Sequence, residues 1–237
     1  MEIKILFDSN AIDSKFQTGW GFSCLINGRI LFDTGEKGEW LIHNIKQMNI
    51  DINNIQSIVI SHDHWDHTGG LWDVLQLKKN LPVYSCPDFS KNLKENVRKL
   101  KGIFIESNHF QQIEENISVT GEIEATYNGK TISEQAVVIK TKNGISIITG
   151  CAHPGILNIV KIAKQHFPDE QVFLVMGGFH LLDADTRIIE YIATELKTMN
   201  VNTVSPCHCS GKNAEEIFQQ IFQKNFLAVK AGMTVKV

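Results

Sequence analysis

Ser61-His62-Asp63-His64-Trp65-Asp66-His67 gathers three imidazoles, with the Asp66 carboxylate among them, directly after the apolar run Ile58-Val59-Ile60. Imidazole nitrogen and carboxylate oxygen are donors that suit zinc and similar first-row ions, and alternating residues leaving a strand end can point His62 and His64 into one site. Asp66 and His67 can then serve a second ion nearby. Two metals about 3.5–4 Å apart can clamp a substrate oxygen and activate a water between them, the chemistry of many hydrolases. An ordinary solvated loop has no reason to gather histidines at this density.

One loop cannot close such a centre. His153, in Gly150-Cys151-Ala152-His153-Pro154-Gly155, follows the apolar run Ile145 to Thr149, and His208, in Cys207-His208-Cys209-Ser210-Gly211, follows Val201 to Val204. Both lie between an expected strand and an expected helix. Ligand sites of α/β proteins assemble at the C-terminal ends of strands, so the three loops read as one constellation.

The elements that must position these residues are legible in outline. Met1 to Leu6 reads as a first strand. Asn27-Gly28 tolerates the positive φ of a tight turn and joins Phe22–Ile26 to Arg29–Phe32 in a hairpin that delivers Asp33. Helical spacing follows from Trp40 to Met48, and Gly69-Gly70 opens a helix carrying Leu71, Val74 and Leu75. A second hairpin joins Ala136–Thr141 to Gly144–Thr149 through Lys142-Asn143, and strand-helix alternation continues to the end. Between Asn80 and Ser133 the pattern is weaker, with a basic amphipathic stretch from Phe89 to Lys101 and a polar one from Glu106 to Asn116. Substrate specificity is expected there.

With these residues in place, the chain resembles the metallo-β-lactamase superfamily, whose His-x-His-x-Asp-His signature is matched by His62, His64, Asp66 and His67. Phe32-Asp33-Thr34-Gly35 matches its early Asp motif, and His153 and His208 match its third and fifth motifs in order. The resemblance implies an α/β fold, the four-layer αβ/βα sandwich, as a single domain over residues 1–237. It also implies a dinuclear centre with His62, His64 and His153 on one ion, and Asp66, His67 and His208 on the other. Asp33 would stand behind the ligands and orient an imidazole. The ligand set makes zinc the first expectation, with iron and manganese accepted by the same donors.

Glu134-Gln135-Ala136, Gly177-Gly178-Phe179-His180-Leu181 and Cys207-His208-Cys209-Ser210-Gly211 further resemble the branch named for dihydropterin ribofuranosyl-aminobenzene phosphate synthase. The superfamily's fourth motif usually supplies a metal-bridging Asp at a strand end, and here the strand from Gln171 to Met176 runs instead into Gly177-Gly178-Phe179-His180. Three readings stand: His180 binds metal, His180 acts as general acid or substrate contact, or Asp183 reaches back to bridge. His180 at the site, in either role, is favoured. Asp66 and His180 are the catalytic candidates, Asp66 by holding the nucleophile. Cys207 and Cys209 are read as small packing residues beside His208. Ser210, Gly211 and Lys212 open the helix from Asn213 to Phe222, where free amides and the helix dipole favour a substrate phosphate.

Hydrolysis of a phosphoester, thioester or related bond is the superfamily default, and a small, phosphorylated anionic substrate is the expectation for this chain. The branch resemblance implies an alternative, a pterin transferase in which an aromatic acceptor displaces pyrophosphate in place of water. A non-catalytic metal-binding or sensor protein is a further alternative. The redox members of the superfamily usually carry Glu where this chain has His64, which argues against that class.

The chain has 237 residues, 43% hydrophobic, with a formal charge of −3 and five cysteines. This length suits one large α/β domain. No block of like charge marks a nucleic-acid partner, and no apolar run is long enough to span a bilayer. The odd cysteine count fits reduced thiols and a cytoplasmic location. The oligomeric state is not legible.

Overall fold

Each expected apolar run becomes a strand of one of two sheets, and each sheet belongs to one of the two units into which the chain divides. The computed structural model describes residues 1–237. The first unit comprises residues 1–108 and 230–236, the second 109–229 with Val237.

In the first unit, β1 (Glu2–Phe7), β2 (Ser23–Ile26) and β3 (Ile30–Phe32) precede α1 (Gly38–Gln47), β4 (Ser57–Val59), α2 (Trp65–Thr68) and α3 (Leu71–Leu77). Then come β5 (Pro82–Ser85), α4 (Lys91–Lys99) and β6 (Ile103–Glu106). The second unit holds β7 (Gln111–Glu114), β8 (Ile117–Val119), β9 (Ile123–Tyr127), β10 (Lys130–Glu134), β11 (Val137–Thr141), β12 (Gly144–Thr149), α5 (Ile156–His166), β13 (Val172–Gly178), α6 (Thr186–Thr198), β14 (Thr203–Cys207) and α7 (Lys212–Phe222). The last strand, β15 (Thr234–Lys236), returns to the first unit.

The first sheet runs β15-β1-β2-β3-β4-β5-β6, antiparallel up to β3 and parallel from β3 onward. The second runs β14-β13-β12-β11-β8-β7, with β12, β13 and β14 parallel. β9 and β10 form a separate hairpin. Parallel strands that are buried on both faces read as continuous apolar runs, as Ile145 to Thr149 does.

Each unit has its own core. Leu25, Leu31, Ile58 and Val83 of the first sheet pack with Leu41 and Ile45 of α1, Val74 and Leu75 of α3, and Leu93 and Val97 of α4. In the second, Val138, Ile147, Val175 and Val204 meet Ile159 and Val160 of α5, Ile189, Ala193 and Leu196 of α6, and Phe218 and Phe222 of α7. The spacing 189, 193, 196 is the helical period that places one face inward. Each large side chain buried this way contributes roughly 1.5–3 kcal/mol relative to exposure.

Both expected hairpins form, with Asn27 at φ 50° and Gly28 at φ 72° in the first. The segment from Asn80 to Ser133 is more regular than its weak pattern suggests. The polar stretch after Glu106 contains β7, and Asn128 and Gly129, at φ 49° and 72°, turn the β9–β10 hairpin. The basic stretch is α4, but Lys94 and Arg98 lie over the Phe104 ring, and Lys91 pairs with Glu95.

Candidate metal centre

In the first unit the chemistry lies where the parallel neighbours β3 and β4 end. Asp33 follows β3 in the left-handed region, at φ 50°, and its amide donates to the Val59 carbonyl at 2.9 Å. Its buried carboxylate accepts from the Ser61 amide at 2.7 Å, the Ser61 hydroxyl at 2.7 Å and His67 Nδ1 at 2.6 Å. The Ser61 hydroxyl, having given its proton to Asp33, is left to accept from His62 Nδ1 at 2.9 Å. Asp33 thus fixes two imidazoles, one directly and one through Ser61, each with Nδ1–H as donor and Nε2 turned the other way.

His62 Nε2 lies 3.0 Å from His64 Nδ1. His67 Nε2 lies 3.4 Å from Asp66 Oδ2. Burial opposes charge on His67, but the Asp33 carboxylate and then Asp66 outweigh it and push its pKa up to about 10. The backbone between these residues is tightly placed. Thr34 donates its amide and its hydroxyl to the His67 carbonyl, at 2.9 and 2.7 Å. A side chain at Gly21, at φ 117°, would put its Cβ 2.1 Å from the Asp66 carbonyl oxygen. Asp63 turns to the Ser90 amide at 2.8 Å, next to the start of α4, while the Trp65 ring is 61% exposed.

In the second unit three parallel strands end side by side, and each delivers one histidine: β12 leads to His153, β13 to His180 and β14 to His208. The organiser is Glu134, at the end of β10, fully buried. Its Oε1 accepts from the Thr149 hydroxyl and the Cys151 amide at 3.0 Å each and from the Ala152 amide at 2.8 Å. Its Oε2 accepts from the amide and Nδ1 of His153, at 2.8 and 2.9 Å. Burial would raise the Glu134 pKa, yet the hydrogen bonds and charge of His153, with the loop amides, bring it down to about 2.

The ligand atoms of Cys151, His153 and His180 lie within 4.8 Å of one another. Cys151 Sγ is 3.4 Å from His208 Nε2, and Cys209 Sγ is 3.8 Å from the Cys151 carbonyl oxygen. A hydrogen bond with the Cys209 thiol holds the His180 pKa above its ordinary value. His180 is exposed, and Tyr127, at the tip of the β9–β10 hairpin, stands edge-on to His153 and His180 with ring centroids 4.9 and 5.3 Å apart. Ala152, His180 and His208 all adopt left-handed backbone, at φ 57°, 53° and 50°. Non-glycine residues hold that conformation only where their surroundings enforce it, and such positions cluster at functional sites.

Several sequence expectations meet a different local structure. The Ser210 hydroxyl is buried and accepts from the Phe179 amide at 2.9 Å, while Lys212 is largely exposed, with Glu216 at 3.7 Å. Gly211 does precede α7 without a side-chain cap. Asp183 is exposed, and the helix after His180 is capped by Asp185, whose side chain accepts from the Arg187 amide at 2.8 Å. The Cys151 sulfur lies against His208, and the Cys209 sulfur hydrogen-bonds with His180. His43 bonds the Lys15 carbonyl at 2.8 Å, and His166 stacks on Phe110 at 3.9 Å, so both have structural partners. Glu134 and Tyr127 carry no spacing signal toward His153; the Asn128-Gly129 turn was the one local cue to the hairpin that bears them.

A sequence model of the metallo-β-lactamase superfamily matches residues 23–208, and the chain belongs to that family. A more particular likeness is to 7,8-dihydropterin-6-methyl-4-(β-D-ribofuranosyl)-aminobenzene-5'-phosphate synthase of Methanocaldococcus jannaschii, 32% identical over 97% of this chain and 94% of that protein. An uncharacterised protein of the same archaeon is 29% identical over 98% of this chain and 99% of its own length. Among solved structures, Tm1679, a metal-dependent hydrolase of the β-lactamase superfamily, superposes with a TM-score of 0.83 at 30% identity, covering 100% of this chain and 99% of that one. The α/β sandwich implied by the sequence motifs is the fold of this family. No helix is long and apolar enough to cross a membrane.

The donors fit the metals that the family typically binds. Two nitrogens each about 2.05 Å from one ion lie roughly 2.9–3.35 Å apart for angles between octahedral and tetrahedral. The His62–His64 separation of 3.0 Å falls in that interval.

Proposed function

We propose that the protein is a metal-dependent transferase that joins an aminobenzene-type acceptor to the methylene carbon of a dihydropterin diphosphate, releasing pyrophosphate. The observation that carries this reading is the near full-length likeness to the archaeal synthase. In this proposal the chain is a single domain with a dinuclear centre: His62, His64 and His153 on one ion, Asp66, His67 and His208 on the other.

Two divalent ions, zinc first by donor type, would supply Lewis acidity toward the diphosphate oxygens. Asp33, directly for His67 and through Ser61 for His62, and Glu134 for His153, hold each ring by Nδ1, so that Nε2 is the atom each would turn to a metal. His180, exposed and beside His153, is placed to take the proton that the acceptor loses as its bond to the methylene carbon forms and the carbon–oxygen bond breaks. Asp66 orients the incoming group. The Tyr127 ring and the exposed Trp65 ring give flat apolar faces suited to a planar heterocycle, through stacking.

Hydrolysis of a small phosphorylated substrate is the second reading, favoured by the likeness to the metal-dependent hydrolase. Pyrophosphate release from dihydropterin diphosphate, measured with and without ribofuranosyl-aminobenzene phosphate, separates the two. Release that requires the acceptor supports the transferase. Release without it supports the hydrolase, and no release in either arm rejects the pterin substrate.

A further inference from the structure

The strand end where the family usually keeps its bridging Asp has no room for a side chain. A Cβ on Gly178 would lie 2.4 Å from the Gly150 carbonyl oxygen and 2.6 Å from Cys209 Sγ. Cys151 follows β12 by two residues, is 4% exposed, and lies outside any disulfide.

Its sulfur lies near all three strand-end histidines of the second unit. It is 3.4 Å from Nε2 of His208, and its ligand atom groups within 4.8 Å with those of His153 and His180. For an ion bound tetrahedrally, a sulfur at about 2.3 Å and a nitrogen at about 2.05 Å lie roughly 3.5 Å apart. The observed Cys151–His208 separation is close to that value, so the pair could close on one ion with little movement.

We infer that the Cys151 thiolate is the bridging ligand of the centre, shared between the ion held by His153 and the ion held by His208. The inference rests on the dinuclear reading proposed above. His180 is then released from ligand duty to face the substrate, in keeping with its exposure. A thiolate bridge also gives the centre one soft donor, which favours zinc or iron over manganese.

Cobalt(II) titration of the metal-free full-length chain tests this, read by bound cobalt per chain and by thiolate-to-cobalt charge-transfer absorption in the near ultraviolet. The wild-type chain and Cys209→Ser are expected to take up two ions and show the band. Cys151→Ser should lose the band, and its affinity for one of the two ions should fall at least roughly tenfold, since even outer-shell partners of a ligand are worth about 10–100-fold. Cys151→Asp, which restores a bridging carboxylate, should bind two ions without the band. Far-ultraviolet dichroism records folding; if Cys151→Ser unfolds, the contrast between Cys209→Ser and Cys151→Asp decides the same question. Two bound ions with no band in the wild type, or a band that survives in Cys151→Ser or Cys151→Asp, overturns the Cys151 bridge and leaves the dinuclear reading intact. Fewer than two ions in the wild type overturns both.

Discussion

At the scale of single residues, Asp33 and Glu134 perform the same task in two loops: each is a buried carboxylate that accepts from a histidine Nδ1 and from the amides around it. Glu134→Gln should be costly because a carboxamide has one acceptor oxygen and turns an NH2 group toward donors. Metal affinity is expected to fall by about 10–100-fold by titration. In the metal-free protein the lowered pKa of Glu134 contributes about 3 kcal/mol above the ordinary carboxylate range. That contribution is lost as pH falls from about 4.5 toward about 2, so thermal melts of wild type and Glu134→Gln should converge over that window. Equal melts at neutral pH would refute the role. The histidine cluster was legible in the sequence because its donors sit within a few residues of one another. Glu134 was legible only as part of a branch motif and not as the partner of His153, because 19 residues separate the two and only the fold closes that gap. Cys151 was read only as one of the reduced thiols, because a buried thiol and a ligand thiol leave the same trace in a sequence.

At the scale of elements, the functional groups follow the C-terminal ends of parallel strands, and the fit between adjacent ends sets their geometry. β13 ends on glycine because its neighbours crowd that position. Gly178→Ala should therefore push apart the β12 and β14 loops. Overpacking of this kind costs about 1–3 kcal/mol, measurable as a lower denaturation midpoint, with weakened cobalt uptake alongside. Unchanged stability and uptake would mean that the loops yield freely. Hairpins with an Asn-Gly turn between apolar runs could be read in advance, as at Asn27-Gly28. The β9–β10 hairpin has the same dipeptide at Asn128-Gly129, and β9 alternates from Ile123 to Tyr127, but β10 has Ile132 as its one apolar residue, so the turn signal was framed on one side only.

At the scale of the molecule, the family and the fold class were legible from the order of the motifs, whereas the division into two units was not, since no linker or composition shift marks residues 108 and 109. The first unit is assembled from both ends of the chain, with β15 pairing along β1. Synthesis proceeds from one end only. At about 5–20 residues per second, β1 waits roughly ten seconds or more for its outer neighbour, while the whole of the second unit is made and can fold. During that interval β1 is a bare edge whose Ile3 and Ile5, fully buried in the finished protein, have no cover on that side. Deletion of residues 234–237 would make the interval permanent, and should yield chains that scatter light in a concentration-dependent way after refolding; clear, monodisperse refolding would show that the edge protects itself. In the nascent chain β1 is thus an aggregation hazard from the moment it is made until β15 pairs with it.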